Sequence, residues 1–118
     1  MNENILENKS FDFALDIMKL YKRLTSTNNE NVIFKQLIRS STSIGANIKE
    51  ALRGESRKDF THKLSISLKE ANETEYWLEL LIASEYIEYR EGKELLAKCK
   101  ELCKILYSIV RTLNKNKS

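Results

Sequence analysis

A chain of 118 residues is long enough for one hydrophobic core and too short for two. With 42% hydrophobic and 31% charged residues it is not a disordered chain, and with no proline and only three glycines (Gly45, Gly54, Gly92) it is not a turn-rich all-β domain. The net charge is only +3, and no apolar run approaches the roughly 18 residues of a membrane span.

The first residues, Met1 to Glu7, carry neither a basic region nor a long apolar stretch. No signal peptide is therefore expected, and the cytoplasm is the expected location. The first helix is predicted over 11–24, with Ser10 as N-cap and Asp12 favourably placed in the first turn. It carries two apolar stripes: Phe11, Ala14, Leu15 and Met18 on one side, Phe13, Ile17, Leu20 and Leu24 on the other. Together they cover an arc of about 220°, twice what one bundle face uses. The polar run Thr25 to Asn29 ends it.

The second helix is predicted over 31–52. Phe34, Leu37, Ile38, Ser41, Ile44, Gly45, Ile48 and Leu52 keep a three-four spacing. The run Ser40-Ser41-Thr42-Ser43 has loop-like propensity, but the stripe crosses it without a phase break, so one continuous helix is expected. Gly54 marks a turn, and Ser56-Arg57-Lys58-Asp59 is an S-x-x-D variant of the capping box. The third helix follows over 57–83, with Phe60, Leu64, Ser67, Leu68, Ala71, Thr74, Leu78 and Ile82 as its core stripe. The fourth is predicted over 92–114, with Leu95, Leu96, Cys99, Leu102, Cys103, Leu106, Ile109, Val110 and Leu113 inward. Cys99 and Cys103 sit one turn apart and are expected to be reduced core residues.

Short connections between four helices predict a single all-α domain over 1–118, an up-down-up-down antiparallel four-helix bundle. The surplus apolar faces predict self-association. The expected interface is the second stripe of the first helix (Phe13, Ile17, Leu20, Leu24) with Ile66, Trp77 and Leu80 of the third.

Charge is segregated along the chain. Residues 35–69 hold eight basic and three acidic side chains, residues 70–91 one and seven, residues 92–118 seven and two. In an up-and-down bundle the turn between helices two and three and the C-terminus share one end. Arg53, Arg57, Lys58 and Lys63 are therefore expected near Arg111, Lys115 and Lys117, with Glu79, Glu85, Glu88 and Glu91 at the far end. A basic end of this kind attracts phosphate backbone. No base-reading motif accompanies it, so binding to nucleic-acid shape and backbone is expected.

No metal site and no cofactor motif is expected: there is one histidine, no H-E-x-x-H, no E-x-x-H pair and no phosphate-binding glycine loop. Arg57 and His62 stand in an Arg-x4-His spacing that resembles the catalytic motif of the helical HEPN ribonucleases, although Lys58 replaces the polar residue usual after the arginine. A metal-independent RNase using these two residues is the catalytic alternative to a non-catalytic binding protein. A protein-interaction scaffold is the third reading.

Three segments carry a wider resemblance: Ser10 to Leu15, Gln36 to Ala51, and Ser56 to Phe60 continuing through Leu64 to Ala71. They resemble the bacterial four helix bundle proteins encoded in 23S ribosomal RNA intervening sequences, also labelled S23 ribosomal proteins. Glu75-Tyr76-Trp77-Leu78 fits as well, and the run Ser43 to Ile48 is the most specific part. The resemblance implies a homopentamer and no established catalytic activity. It also implies kinship with the accessory proteins of diversity-generating retroelements, which work with a reverse transcriptase and RNA. The family's recurrent polar residues correspond to Arg39, Asn47, Glu50, Lys58 and Asp59. The turn Ala51 to Glu55 departs from the family's usual Gln/Gly-rich one.

Overall fold

The computed structural model describes residues 3–116. Four helices follow one another: α1 (Glu3–Thr27), α2 (Val32–Leu52), α3 (Arg57–Ala83) and α4 (Tyr89–Lys115). Each packs on its neighbours in cyclic order, α1 on α2, α2 on α3, α3 on α4 and α4 on α1, in a rod of 49 × 22 × 21 Å. This is the antiparallel up-and-down bundle that the short connections predict.

Local chemistry sets most of the helix ends. Asn31 caps α2, its side chain accepting the Phe34 N–H at 2.9 Å. Ser56 caps α3 by accepting the Asp59 N–H at 3.0 Å, as the S-x-x-D pattern predicts. The fourth helix begins three residues before Gly92. Its cap is Glu88, whose two carboxylate oxygens accept the N–H groups of Arg90 and Glu91. Those two bonds hold the Glu88 carboxyl below its ordinary pKa.

The first helix departs most from expectation. It starts at Glu3, and Ser10 is an interior residue rather than its cap. The Ser10 hydroxyl donates to the Glu7 carbonyl at 3.0 Å. Buried Leu6 extends the stripe one turn back from Ser10, which pulls the whole segment into the bundle. Ser10 lies where α1 crosses α2, and a β-carbon on Gly45 would come within 3.3 Å of its hydroxyl. Small residues on both sides allow that approach.

The two stripes of α1 are also exchanged. Phe13, Ile17, Leu20 and Leu24, expected at an interface, form the inward face; Phe13 is 1% and Ile17 0% exposed. Phe11, Leu15 and Met18 face outward at 63%, 40% and 48%. The reason is register with Leu6 and Ser10. Those two residues continue the Phe13 stripe at helical spacing, giving that face five turns of contact where the other has about two.

Elsewhere the core follows the predicted stripes. The serine-rich stretch of α2 is helical because the apolar stripe that crosses it is buried, and its hydroxyls bond back to carbonyls of the preceding turn, as from Thr42 and Ser43 to Ile38 and Arg39. Buried Ser40 and Thr74 hydroxyls meet at 2.8 Å across α2 and α3, and Ser67 donates to the Ile44 carbonyl at 2.8 Å. These bonds satisfy groups whose burial would otherwise cost stability. In α3 the buried stripe ends on Leu81, while Ile82 is half-buried beside Gly92. Cys99 is buried and its thiol donates to the Ala71 carbonyl. The adjoining Cys103 and burial push its pKa far up, so it stays protonated.

Candidate nucleic-acid interface

The α2–α3 hinge is built by backbone geometry first. Arg53 ends α2 by donating its N–H to the carbonyls of Ala51 and Glu50, and Gly54 donates to Ala51 at 3.1 Å. A β-carbon at Gly54 would run into the Asp59 carboxylate, which folds back under the turn. The hinge therefore places Arg53 and the first residues of α3, Arg57 and Lys58, outward and exposed. Lys63 reaches across to Glu50 at 2.8 Å, and that carboxylate raises its pKa.

An open cleft of about 820 Å³ lies between the end of α2 and the start of α3, with Lys49, Arg53 and Lys63 on its walls beside Glu50, Glu55 and Asp59. Lys49 was not among the residues singled out from the sequence. Its signal is the spacing to Arg53, four residues on along one face of α2. Arg111 and Lys115 lie at the same end of the bundle but line a second groove, between α3 and α4, with Leu68 and Tyr107. The predicted cations thus form two groups on the flanks of α3, and Lys117 lies outside the described residues.

Along the sides of the rod Lys9 pairs with Glu101 at 3.3 Å, Lys98 with Asp16 at 2.7 Å, Lys35 with Glu30, Arg23 with Glu91, and Arg39 with both Glu70 and Glu73, while Lys19, Lys22, Lys69, Arg90, Lys93, Lys100 and Lys104 make no ion pair with a described residue. Trp77 donates its indole N–H to the same Glu73, at 3.1 Å, and is half-buried there. Arg53, Arg57, Lys58, Arg111 and Lys115 make no ion pair with a described residue. Among the α3 residues expected at an interface, Ile66 is half-buried and Leu80 is exposed.

Arg57 and His62 are both exposed. Five residues along a helix turn through about 140°, so the two side chains leave α3 from different faces of one protomer. Among the described residues, no three His, Cys, Asp or Glu side chains cluster to hold a metal ion. No helix among them is long and apolar enough to cross a membrane.

Fold and site together define an all-helical, up-and-down four-helix bundle with exposed basic residues at the turn between α2 and α3. The chain belongs to the 23S rRNA-intervening sequence protein family, whose model matches residues 2–108. It is similar, at 50% identity and a TM-score of 0.89, to a protein of unknown function from the S23 ribosomal protein family of Bacteroides thetaiotaomicron VPI-5482. That match covers 94% of this chain and 99% of the other. No curated protein matches the chain.

Proposed function

We propose that this protein is a non-catalytic, self-associating bundle that binds structured RNA through its basic end. The observation that carries the reading is the hinge: Arg53, Arg57 and Lys58 stand exposed together within six residues of chain beside an open cleft, without ion-pair partners among the described residues. Unpaired cations release counterions when they meet phosphates, which makes such a surface a binding site for nucleic-acid backbone. The family description names a 23S rRNA intervening sequence, so structured ribosomal RNA is the first class to test.

The test is RNA binding across a salt series. Four to five phosphate contacts give a log–log slope of about −4. Arg57→Glu/Lys58→Glu lowers the affinity at every sequence and makes the slope shallower by about 2. Flat, weak binding by both proteins overturns the reading and favours a protein-interaction scaffold, for which a reverse-transcriptase-type partner is the candidate.

Self-association rests on a separate observation, the exposed stripe Phe11, Leu15 and Met18 on α1. Adjacent large apolar side chains on one outward face are what a contact surface offers. A Leu15→Glu/Met18→Glu variant is expected to sediment as a folded species smaller than the wild type. A wild-type protein that sediments as a monomer at high concentration overturns this part.

A further inference from the structure

The outer face of α4 carries a row of cations with one aromatic ring set into it. At 100° per residue, Lys93, Lys100, Lys104, Tyr107, Arg111 and Lys115 fall within an arc of about 80°. All six are exposed, and none of the five cations pairs with a described carboxylate. The carboxylates of α4 itself leave about 80° or more to the side. Of these, Glu91 and Glu101 are taken by Arg23 and Lys9 of α1, and Glu94 is exposed. On α3, Glu75 and Glu79 lie near Cys99, alongside the first half of the row, and Glu75 accepts from the Cys103 thiol. From Lys104 onward the row borders a groove of about 460 Å³ between α3 and α4. Its lining is Leu68, Tyr107, Val110, Arg111, Asn114 and Lys115, with no acidic residue, whereas the hinge cleft holds three.

Charge alone suits any polyanion; the ring selects among them. Tyr107 is 58% exposed, with apolar Leu68 and Val110 beside it and Lys104 and Arg111 one turn away on either side. An exposed ring between cations is what a base stacks on while the phosphates that flank it are held. Arg111 and Lys115 are separated by about 6 Å along the axis, close to the spacing of successive phosphates on one strand. A duplex covers its base faces and leaves the ring unused. An anionic membrane asks for several apolar side chains inserted together, and this stretch offers one. We infer that α4 from Lys104 to Lys115 binds an unpaired stretch of RNA, a base stacked on Tyr107 and phosphates at Lys104, Arg111 and Lys115. The inference rests on the reading of the protein as an RNA binder and adds to the hinge a second surface with a different preference.

The experiment follows fluorescence anisotropy of a labelled oligoadenylate, and of a blunt RNA duplex of the same length, on titration with the full chain. Three phosphate contacts on a single strand give a log–log salt slope of about −2, and Lys104→Glu/Arg111→Glu makes it shallower by about 1.4. Tyr107→Ala is expected to weaken oligoadenylate about tenfold and to leave the duplex unchanged, with the helices intact by circular dichroism because the residue is exposed. Oligoadenylate affinity that ignores Tyr107→Ala, or that falls only as far as the duplex affinity does, overturns the stacking site. A wild type that binds structured RNA, loses it in Arg57→Glu/Lys58→Glu and does not bind oligoadenylate overturns this inference and leaves the hinge reading standing. Tyr107-dependent binding of oligoadenylate by a protein that ignores structured RNA supports the row and overturns the hinge. Displacement of oligoadenylate by an equal concentration of an oligoglutamate peptide assigns the row to an acidic protein partner and overturns the inference.

Discussion

Replacing each phenylalanine of α1 by alanine separates the two faces of that helix. Phe11 and Phe13 are two residues apart, hence about 200° apart around the axis. Phe13 is 1% exposed and packs in the core with Leu102, whereas Phe11 is 63% exposed. A buried Phe→Ala change costs about 3–5 kcal/mol, from lost transfer energy and the cavity left behind. For a domain of 118 residues the unfolding entropy is about 250 cal/mol/K, so each kcal/mol moves the melting point by about 4 °C. Phe13→Ala is therefore expected to melt about 12–20 °C below the wild type. Phe11→Ala is expected to stay within about 0.5 kcal/mol in dilute solution, the range of surface changes, and to weaken only the concentration dependence of melting. Thermal unfolding followed by far-ultraviolet circular dichroism, at several protein concentrations, measures both. A Phe13→Ala protein as stable as the wild type, with Phe11→Ala losing 3 kcal/mol or more in dilute solution, would show that α1 is rotated by half a turn and refute the face assignment.

Gly92→Ala is expected to destabilise by about 1–3 kcal/mol despite alanine's higher helix propensity. Its β-carbon would lie 2.5 Å from Ile82 Cγ1 and 2.8 Å from Cδ1, so the Ile82 side chain must leave its present position or α3 and α4 must move apart; thermal melting reads the sign. Ser56→Ala removes the acceptor for the Asp59 N–H and is expected to cost about 1 kcal/mol, with Ser56→Asp restoring most of it in the same denaturation assay. Glu88→Ala tests the cap of α4 through pH. The folded carboxyl has a pKa below its ordinary 4.5, so its contribution is complete above that value and is lost as the pH falls through the lower, folded value. The melting temperatures of wild type and Glu88→Ala should differ at pH 6 and converge in strong acid. A gap that is constant with pH would show that the carboxylate is not the cap.

Helix number, helix type and most boundaries follow from local chemistry along the chain. Asn31 and Ser56 cap helices where their side chains reach N–H groups three residues on, and this is readable in one dimension. The core stripes of α2 and α4 are equally legible, because each has one apolar face and burial must follow it, and that of α3 is legible up to its end, where Leu81 rather than Ile82 is buried. The basic hinge is legible for the same reason: a turn in an up-and-down bundle fixes which residues share an end. Its pairing is not, since Lys63 finds Glu50 only once α2 and α3 lie side by side.

Tertiary structure alone decided the orientation of α1. Both of its stripes are apolar, so periodicity is degenerate, and the choice falls to which face meets the groove between α2 and α4. Leu6, Ser10 and Phe13 fit there because Ser10 is small enough to pass Gly45. A sequence specifies which faces are apolar; how well they fill the space between them is set by the geometry of assembly.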